Sequence, residues 1–213
     1  EFDILLNELE TLEKKFPDQV FECGIQEADM MGIAGGLSAV GKKPYVHTFA
    51  AFAARRAFDQ VFISIAYAKN NVRIIGSDPG VTSAYNGGTH MPFEDICLYR
   101  ATPHSTVLEF TDSAMLASLL PTLKDRPGLT YCRLNRKEGT AIYSEDSTFE
   151  PGKANLLRDG KDVTIVACGM MVGESLKAAE ILEKEGISAA VIDMFTIKPL
   201  DEEIIKEFAG KTH

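Results

Sequence analysis

The chain has 213 residues, a formal net charge of −9 and a hydrophobic content of 45%, enough for one large domain or for one domain and part of another. The excess negative charge argues against nucleic acid or an anionic membrane surface as the main partner. No apolar run approaches the length of a membrane span, and the first residues lack a signal-peptide pattern, so the expected location is the cytoplasm.

Short strand-like runs alternate with helical patterns through the first two thirds of the chain. Leucines and a phenylalanine at helical spacing predict an opening helix over residues 5–16. The runs that predict strands lie at 44–49, 72–77, 106–110 and 129–134, and the helical patterns lie at 26–40, 53–69, 92–101 and 112–124. Asp112 precedes the last of these helices as a predicted N-cap. The alternation predicts an α/β fold with a parallel sheet covered on both faces.

A polar stretch follows the fourth predicted strand and divides the chain. Residues 141–161, which include "SEDSTFEPGKA", lack periodicity and predict a linker. A second alternation follows, with strands at 163–169 and 188–195 and helices at 171–185 and 200–208. The sequence therefore predicts a first domain over 1–140 and the start of a second α/β domain over 162–213, which we expect to be incomplete.

The four cysteines lie far apart and form no C-x-x-C pair; they are Cys23, Cys97, Cys132 and Cys168. Apolar residues flank each of them, so we expect buried free thiols in a reducing compartment rather than disulfides or a zinc site. The run "GIAGGLSAVG" lacks the G-x-G-x-x-G spacing, and no G-x-x-x-x-G-K-[ST] occurs. The sequence therefore predicts neither a nicotinamide site nor a P-loop.

An acid interrupts an apolar helical pattern early in the chain. In "FECGIQEADMMGIAGGLS", residues 21–38, Glu27 shares a helix face with Met30, Met31 and Ala34. A structural interpretation places its charge in the first helical turn, where the dipole and the unpaired amides favour an anion. A functional interpretation is a half-buried carboxyl group that holds or passes a proton near neutral pH.

Two phenylalanines and two arginines follow the first predicted strand in "HTFAAFAARRAFDQV". Phe49 and Phe52 are three residues apart and could form two sides of an apolar wall, although phenylalanines on such a pattern are usually core residues. Arg55 and Arg56 could simply be solvated cations.

Two further candidates follow predicted strands. The glycine-rich loop "SDPGVTSAYNGGTHM" at 77–91 contains His90 and follows a strand at the edge where open α/β sheets bind ligands. His90 is therefore a candidate ligand or proton shuttle, with a surface histidine as the alternative. Arg136 in "YCRLNRKEG" could grip a phosphate or carboxylate, or be a surface cation at a domain boundary.

Four segments in register resemble the C-terminal half of transketolase, a thiamine diphosphate enzyme; they are "FECGIQEADMMGIAGGLS", "TFAAFAARRAFDQV", "GGTHMPFEDICLYRATPHSTV" and "LNR". The resemblance covers nearly the whole chain. In that family this half comprises a pyrimidine-binding domain followed by a smaller C-terminal domain. The resemblance thus implies a pyrimidine-binding domain over 1–140 and the start of the C-terminal domain over 162–213.

The resemblance implies cofactor roles for three residues. The family's equivalent of Glu27 is catalytic: it hydrogen-bonds N1′ of the aminopyrimidine and favours the imino tautomer that takes the proton from thiazolium C2. Phe49 and Phe52 match the aromatic residues that pack on the pyrimidine ring.

The resemblance also implies substrate roles, with departures from the family pattern. His90 matches a residue that contacts the sugar's oxygens, and Arg136 matches the arginine that binds the sugar phosphate. Many members read G-E-D-G-P-T-H where this chain has "AYNGGTH", so Asn86 replaces an aspartate that contacts the donor's hydroxyl. Asp78 stands where many members have histidine, and Arg55 stands where several have tyrosine. Cofactor activation is therefore expected to be intact, while sugar recognition is expected to differ.

The family pattern further implies a second chain. The diphosphate-binding domain, which carries G-D-G and a downstream asparagine for magnesium, does not occur in this sequence. The match is therefore to the small subunit of a split transketolase, whose separate N-terminal subunit would hold Mg²⁺ and the diphosphate. An α2β2 heterotetramer is the simplest closed arrangement. The expected reaction transfers a two-carbon ketol unit between sugar phosphates.

Three alternatives stay open on the sequence. The β subunit of a 2-oxo acid dehydrogenase shares a Glu-bearing helix and an "R-A-x-D-Q" helix, but the "GGTHMPFED" loop argues against it. A 1-deoxyxylulose-5-phosphate synthase has a similar loop but fuses its domains in one chain. A non-catalytic scaffold subunit would have no use for Glu27 and Phe52.

Overall fold

A computed structural model describes residues 11–136 and 139–212. Its strands are β1 (Tyr45–Phe49), β2 (Arg73–Ser77), β3 (Thr106–Glu109), β4 (Thr130–Leu134), β5 (Asn155–Arg158), β6 (Val163–Ala167), β7 (Ala189–Asp193) and β8 (Thr196–Lys198). Its longer α-helices are α1 (Glu27–Ala39), α2 (Asp95–Ala101), α3 (Ser113–Leu119), α4 (Met171–Lys184) and α5 (Glu202–Lys211). The opening helix predicted at 5–16 lies mainly outside the described residues, of which 11–15 are helical. No helix in the described ranges is long and apolar enough to cross a membrane.

The first sheet has the strand order β1-β2-β4-β3-β8, and its first four members are parallel. The predicted α/β fold with a parallel sheet is therefore confirmed. Strand β8 was not predicted: it runs antiparallel to β3 and pairs Lys198 with Val107. It is only three residues long, too short to produce a recognisable alternation, and pairing with β3 holds it in place.

The helix predicted at 53–69 is a broken helical segment. Phe52–Arg56 and Val61–Tyr67 are π-helical, and the short α-helical piece Phe58–Gln60 lies between them. We call Phe52–Tyr67 the π segment. A π-turn closes its hydrogen bonds one residue later than an α-turn and is frequent at functional sites. A 3.6-residue pattern in the sequence does not reveal this local change.

The main core lies where α1 and the π segment pack on the first sheet, and it includes Met31, Ile65 and Ile74. Cys132 is buried within the second cluster of the same sheet, and burial raises the pKa of its thiol to about 12. Cys97 is exposed, and the remaining described cysteines are partly buried. The prediction of buried thiols is therefore right for Cys132 and wrong for Cys97.

The second sheet has the strand order β5-β7-β6, with β6 parallel and β5 antiparallel to β7. Strand β5, Asn155–Arg158, lies within residues 141–161, where the sequence predicts a linker and no strand. This four-residue strand is held by its pairing with β7, a contact between distant parts of the chain that local composition does not encode.

Candidate active site

The predicted site residues lie where three parallel strands end. Phe49, the last residue of β1, is paired with Ser77 at the end of β2, and Ser77 is paired with Leu134 at the end of β4. Asp78 and Arg136 follow within two residues of these strands. Open α/β sheets bind ligands outside the carboxyl ends of their strands. The topology therefore places these residues at the edge of the sheet that is suited to binding.

Glu27 is the first residue of α1, and only 6% of its surface is exposed. The turn before it uses Gly24 at φ +69°, a left-handed conformation that suits glycine. Arg56 Nη1 donates to both carboxylate oxygens, at 3.0 Å to Oε1 and 2.9 Å to Oε2. A buried carboxylate is thus balanced by a guanidinium that is itself half exposed.

Three rings form an edge-to-face cluster beside this ion pair. The ring centroids of Phe49 and Phe52 are 5.7 Å apart, and His90 lies 5.3 Å from Phe49 and 4.9 Å from Phe52. The guanidinium of Arg56 lies over Phe52, with Cζ 4.0 Å from the ring centroid. Arg56 therefore links the buried carboxylate to the aromatic cluster.

Arg136 closes the other side of the cluster. It forms an ion pair with Asp78, and its Cζ lies 4.8 Å from the ring centroid of Phe49. Asp78 is buried and adopts φ +53°, a left-handed conformation that aspartate tolerates better than most residues. Its N–H donates to the carbonyl of Leu134 at 2.9 Å. The pKa of nearby His47 is lowered by loss of hydration and then by the positive charge of Arg136, while Asp78 opposes this.

The glycine-rich loop orders His90 and leaves Asn86 exposed. Asn86 ends the 3₁₀ turn Ala84–Asn86, and its side chain faces solvent. The Ser83 hydroxyl donates to the His90 carbonyl at 2.7 Å, and the His90 N–H donates to the Gly87 carbonyl at 3.0 Å. The structure thus brings His90 into the ring cluster and places Asn86 in the solvent-facing part of the same loop.

Two arginines of the π segment belong to this site although the sequence treats them as possible solvated cations. Arg56 joins Glu27 across 29 positions of the chain, and Arg55 pairs with Glu94 beyond the His90 loop. One signal was available. A carboxylate predicted to be half buried requires a cationic or hydrogen-bonding partner, and Arg56 follows the aromatic residues that were assigned to the same site.

These features define the class of the protein: an α/β chain with a paired, buried carboxylate beside an aromatic cluster at the carboxyl edge of a parallel sheet. Such a set suits a flat heteroaromatic ligand that carries hydrogen-bonding groups. Within residues 11–136 and 139–212, no group of three or more His, Cys, Asp or Glu side chains is arranged to hold a metal ion.

Comparison with known families identifies that class. The model of the transketolase pyrimidine binding domain matches residues 7–140, and that of the transketolase C-terminal domain matches residues 152–213. The chain therefore belongs to the transketolase family, and the predicted family is confirmed.

Individual relatives point to transketolases that are divided between chains. A 6-deoxy-6-sulfo-D-fructose transketolase subunit of Clostridium sp. (strain MSTE9) is 48% identical over 93% of this chain and 62% of its own length. A putative transketolase C-terminal section of Methanocaldococcus jannaschii is 41% identical over 91% of this chain and 62% of its own length. A solved structure described as a split gene transketolase, inactive beta4 tetramer, is 42% identical, with a TM-score of 0.87 over 94% of this chain and 65% of that one. The chain thus spans less than two thirds of the length of each of these relatives. Their descriptions favour a transketolase-type subunit over the three alternatives left open by the sequence.

Proposed function

We propose that this chain is a subunit of a thiamine diphosphate-dependent transketolase that transfers a two-carbon ketol unit between sugar phosphates. The observation that carries the proposal is the buried carboxylate of Glu27 beside the rings of Phe49, Phe52 and His90. We also keep the division into a pyrimidine-binding domain over 1–140 and a C-terminal domain from 162 as a proposal. The matched residues 7–140 and 152–213 support it.

The proposed cofactor site uses two kinds of side chain. Glu27 would hydrogen-bond the aminopyrimidine, and Phe49 and Phe52 would pack on its ring. Bound thiamine diphosphate supplies the nucleophilic carbon and the electron sink needed to break a carbon–carbon bond. The residues present fit the pyrimidine half of this cofactor, since a carboxylate with two accepting oxygens lies next to flat apolar faces. Arg56 holds both oxygens in the chain alone, so the ring would share or replace one of these hydrogen bonds.

The proposed substrate site lies on the Arg136 side of the ring cluster. Arg136 carries a planar guanidinium, which can donate two parallel hydrogen bonds to an oxyanion. Asp78 would orient the guanidinium, His90 would contact the sugar's oxygens, and Asn86 would replace the family's aspartate near the donor hydroxyl. One relative is named for a sulfo-sugar, and another, from Phocaeicola vulgatus and 39% identical, is named for apulose-4-phosphate. Both substituents are tetrahedral oxyanions, which is the chemistry that an arginine recognises.

A partner subunit completes the proposed enzyme. Large apolar side chains are exposed in the two segments that carry Glu27 and His90; they are Phe21, Ile25, Val81, Tyr85 and Phe93. Ile25, two residues before Glu27, is 85% exposed. Exposed apolar residues concentrated around a site are typical of an interaction surface. The β-only tetramer of the split-gene relative is described as inactive, which supports the same requirement here. We propose an α2β2 assembly in which the N-terminal subunit holds Mg²⁺ and the diphosphate.

The test compares the chain alone with the complex that co-purifies with the full-length protein. Calorimetry with thiamine diphosphate and Mg²⁺ is followed by a transfer assay on ketose phosphates, a ketose sulfonate and unmodified ketoses. We expect the chain alone to bind the cofactor weakly and to transfer nothing. Tight cofactor binding and transfer activity should both appear as the partner is titrated in. If the chain alone bound thiamine diphosphate tightly in the presence of Mg²⁺, the proposal that two subunits share the cofactor site would be refuted. A complex that binds the cofactor but transfers no two-carbon unit from any of these donors would refute the transferase function.

A further inference from the structure

Arg55 connects the π segment to the backbone on both sides of His90. Its Nη2 donates to the carbonyl of Thr89 at 3.2 Å and lies 3.5 Å from the carbonyl of Met91. Its Nε lies 2.9 Å from Glu94 Oε1, which anchors the guanidinium at the start of α2. Because the two carbonyls belong to the residues on either side of His90, these contacts restrain the loop backbone around it.

The turn that contains Arg55 also contains Phe52, whose ring contacts the ring of His90. Phe52 and Arg55 both belong to the π-helical turn Phe52–Arg56, and the rings of Phe52 and His90 are 4.9 Å apart. The loop is thus held against this turn twice, by the ring of His90 on Phe52 and by the carbonyls of Thr89 and Met91 on Arg55. Motion of the loop relative to the turn would break both contacts.

Neighbouring arginines in this turn serve different targets. Successive residues of a helical turn point in different directions, so Arg56 reaches Glu27 while Arg55 reaches the His90 loop. The charge of Arg55 is balanced by Glu94, and its Nη2 faces the carbonyls of Thr89 and Met91. These contacts are those of a residue that links the π segment to the His90 loop, rather than those of a residue that binds an anionic substrate.

We propose that Arg55 is a positioning residue: it fixes the position of His90 against the ring of Phe52 and thereby affects the binding geometry of the sugar donor. The proposal rests on the transketolase-type function proposed for this site. In this role Arg55 acts through the loop backbone rather than through direct contact with cofactor or substrate. A lysine could keep the charge and one hydrogen bond, but it lacks the planar fork that reaches two carbonyls and a carboxylate together.

The kinetic test uses Arg55→Ala and Arg55→Lys in the complete complex. Small displacements of a substrate-contacting group carry large rate costs, so we expect Arg55→Ala to lower kcat/KM for the ketose donor by roughly 10- to 100-fold. Thiamine diphosphate affinity should stay within about twofold because the Glu27 side of the site is untouched, and Arg55→Lys should recover part of the loss. Arg158→Ala is the matched control, since Arg158 in β5 pairs with Glu183 in α4 at 3.1 Å.

A second measurement does not depend on activity. Amide hydrogen exchange of the chain alone should become faster in residues 87–91 of Arg55→Ala and remain unchanged in Arg158→Ala. If Arg55→Ala does not fold, Glu94→Gln, which removes the anchoring charge, should show a weaker version of the same pattern.

Each remaining outcome overturns a defined statement. Unchanged exchange with kinetic constants within twofold of the parent complex would show that Arg55 is a solvated cation. A loss confined to phosphorylated or sulfonated donors would show that Arg55 binds the substrate anion directly, which also overturns the positioning role. If the parent complex transfers no two-carbon unit, the proposed function fails, and the exchange experiment still decides whether Arg55 holds the loop.

Discussion

At the scale of single residues, the ion pair between Glu27 and Arg56 joins the first turn of α1 to the π segment. Glu27 is almost fully buried, and Arg56 supplies the positive charge that compensates it. Removing one member of such a pair leaves the other without its partner. The variants that test Glu27 should therefore preserve the shape of the side chain and its hydrogen bonding.

Glu27→Gln is expected to leave the fold intact and to lower turnover of the complex by about 10²- to 10⁴-fold, as for a lost acid–base group. The amide keeps an oxygen acceptor for Arg56, so the loss reports on the carboxyl group rather than on packing. Turnover at saturating cofactor, with circular dichroism for the fold, is the measurement. Asp29→Asn is the control, because Asp29 is an exposed acid in the same first turn of α1. Near-normal turnover of Glu27→Gln would exclude the catalytic role.

Arg136→Ala should lower kcat/KM for phosphorylated donors far more than for unphosphorylated ones, because the proposed bidentate contact with the oxyanion would be lost. The measurement is kcat/KM for matched pairs of sugars that differ only in the phosphate. Arg136→Lys keeps the charge without the fork and should fall between the parent and the alanine variant. An equal loss for both kinds of sugar would mean that Arg136, through Asp78 and Phe49, is structural.

At the scale of secondary-structure elements, the close crossing of α1 and the π segment places Glu27 beside Arg56. Gly35 makes the crossing possible: a Cβ added there would lie 2.8 Å from the backbone oxygen of Ser64. A Cβ added at Gly36, the next residue of the same helix, would meet no atom within 4 Å. Alanine substitutions at these two positions therefore distinguish the effect of packing against Ser64 from the effect of backbone freedom.

Gly35→Ala should destabilise the chain by about 1–3 kcal/mol, since the helix must move away from Ser64. Gly36→Ala should stabilise it by about 0.4–1 kcal/mol by reducing the freedom of the unfolded chain. Urea unfolding of both variants gives the comparison. Gly35→Ala should also weaken cofactor binding by the complex, because the displaced helix carries Glu27. If both substitutions stabilise the chain, the crossing is looser than the structure indicates.

At the scale of the whole molecule, a buried polar network joins the two sheets. Asp193 ends β7 and is fully buried, and it accepts hydrogen bonds from the Thr111 hydroxyl at 2.7 Å and from the Tyr143 hydroxyl at 2.8 Å. Its second oxygen has no hydrogen-bond partner among the described residues. Burial is the main cause that raises the pKa of Asp193 to about 6, and the negative charges of Asp112 and Glu109 add to it. The hydrogen bonds from the two hydroxyl groups lower this pKa and offset part of the effect.

This raised pKa predicts a pH dependence of stability. The folded chain binds the proton of Asp193 more tightly than the unfolded chain, so this contribution is complete below about pH 4 and is lost as pH rises through about 6. Between those limits the parent chain should lose about 2–3 kcal/mol of unfolding free energy relative to Asp193→Asn. Urea unfolding from pH 4 to pH 7 measures the difference. Parallel pH profiles for the two chains would contradict the assignment.

Much of the local structure is determined by the sequence because its signals are local. Strands β1, β2, β4 and β6 begin or end within two residues of the predicted runs, since alternating or continuous apolar stretches extend over each whole strand. The predicted N-cap Asp112 accepts a hydrogen bond from the Met115 N–H at 2.9 Å, a contact between residues three apart. Glu27, the two phenylalanines and His90 were singled out because an acid in an apolar pattern and a glycine-rich loop after a strand are visible in a short window.

What only the tertiary structure decided are the contacts between distant segments. Strands β5 and β8 are held by pairing with β7 and β3 rather than by their own composition. The partners of Arg55 and Arg56 lie 29 to 39 residues away along the chain, so no helical or strand period brings them together. A side chain's partner depends on which elements cross and how closely, as Gly35 and Ser64 show for α1. Periodicity reports which face of an element is buried, whereas the assembled fold determines which charge lies opposite that face.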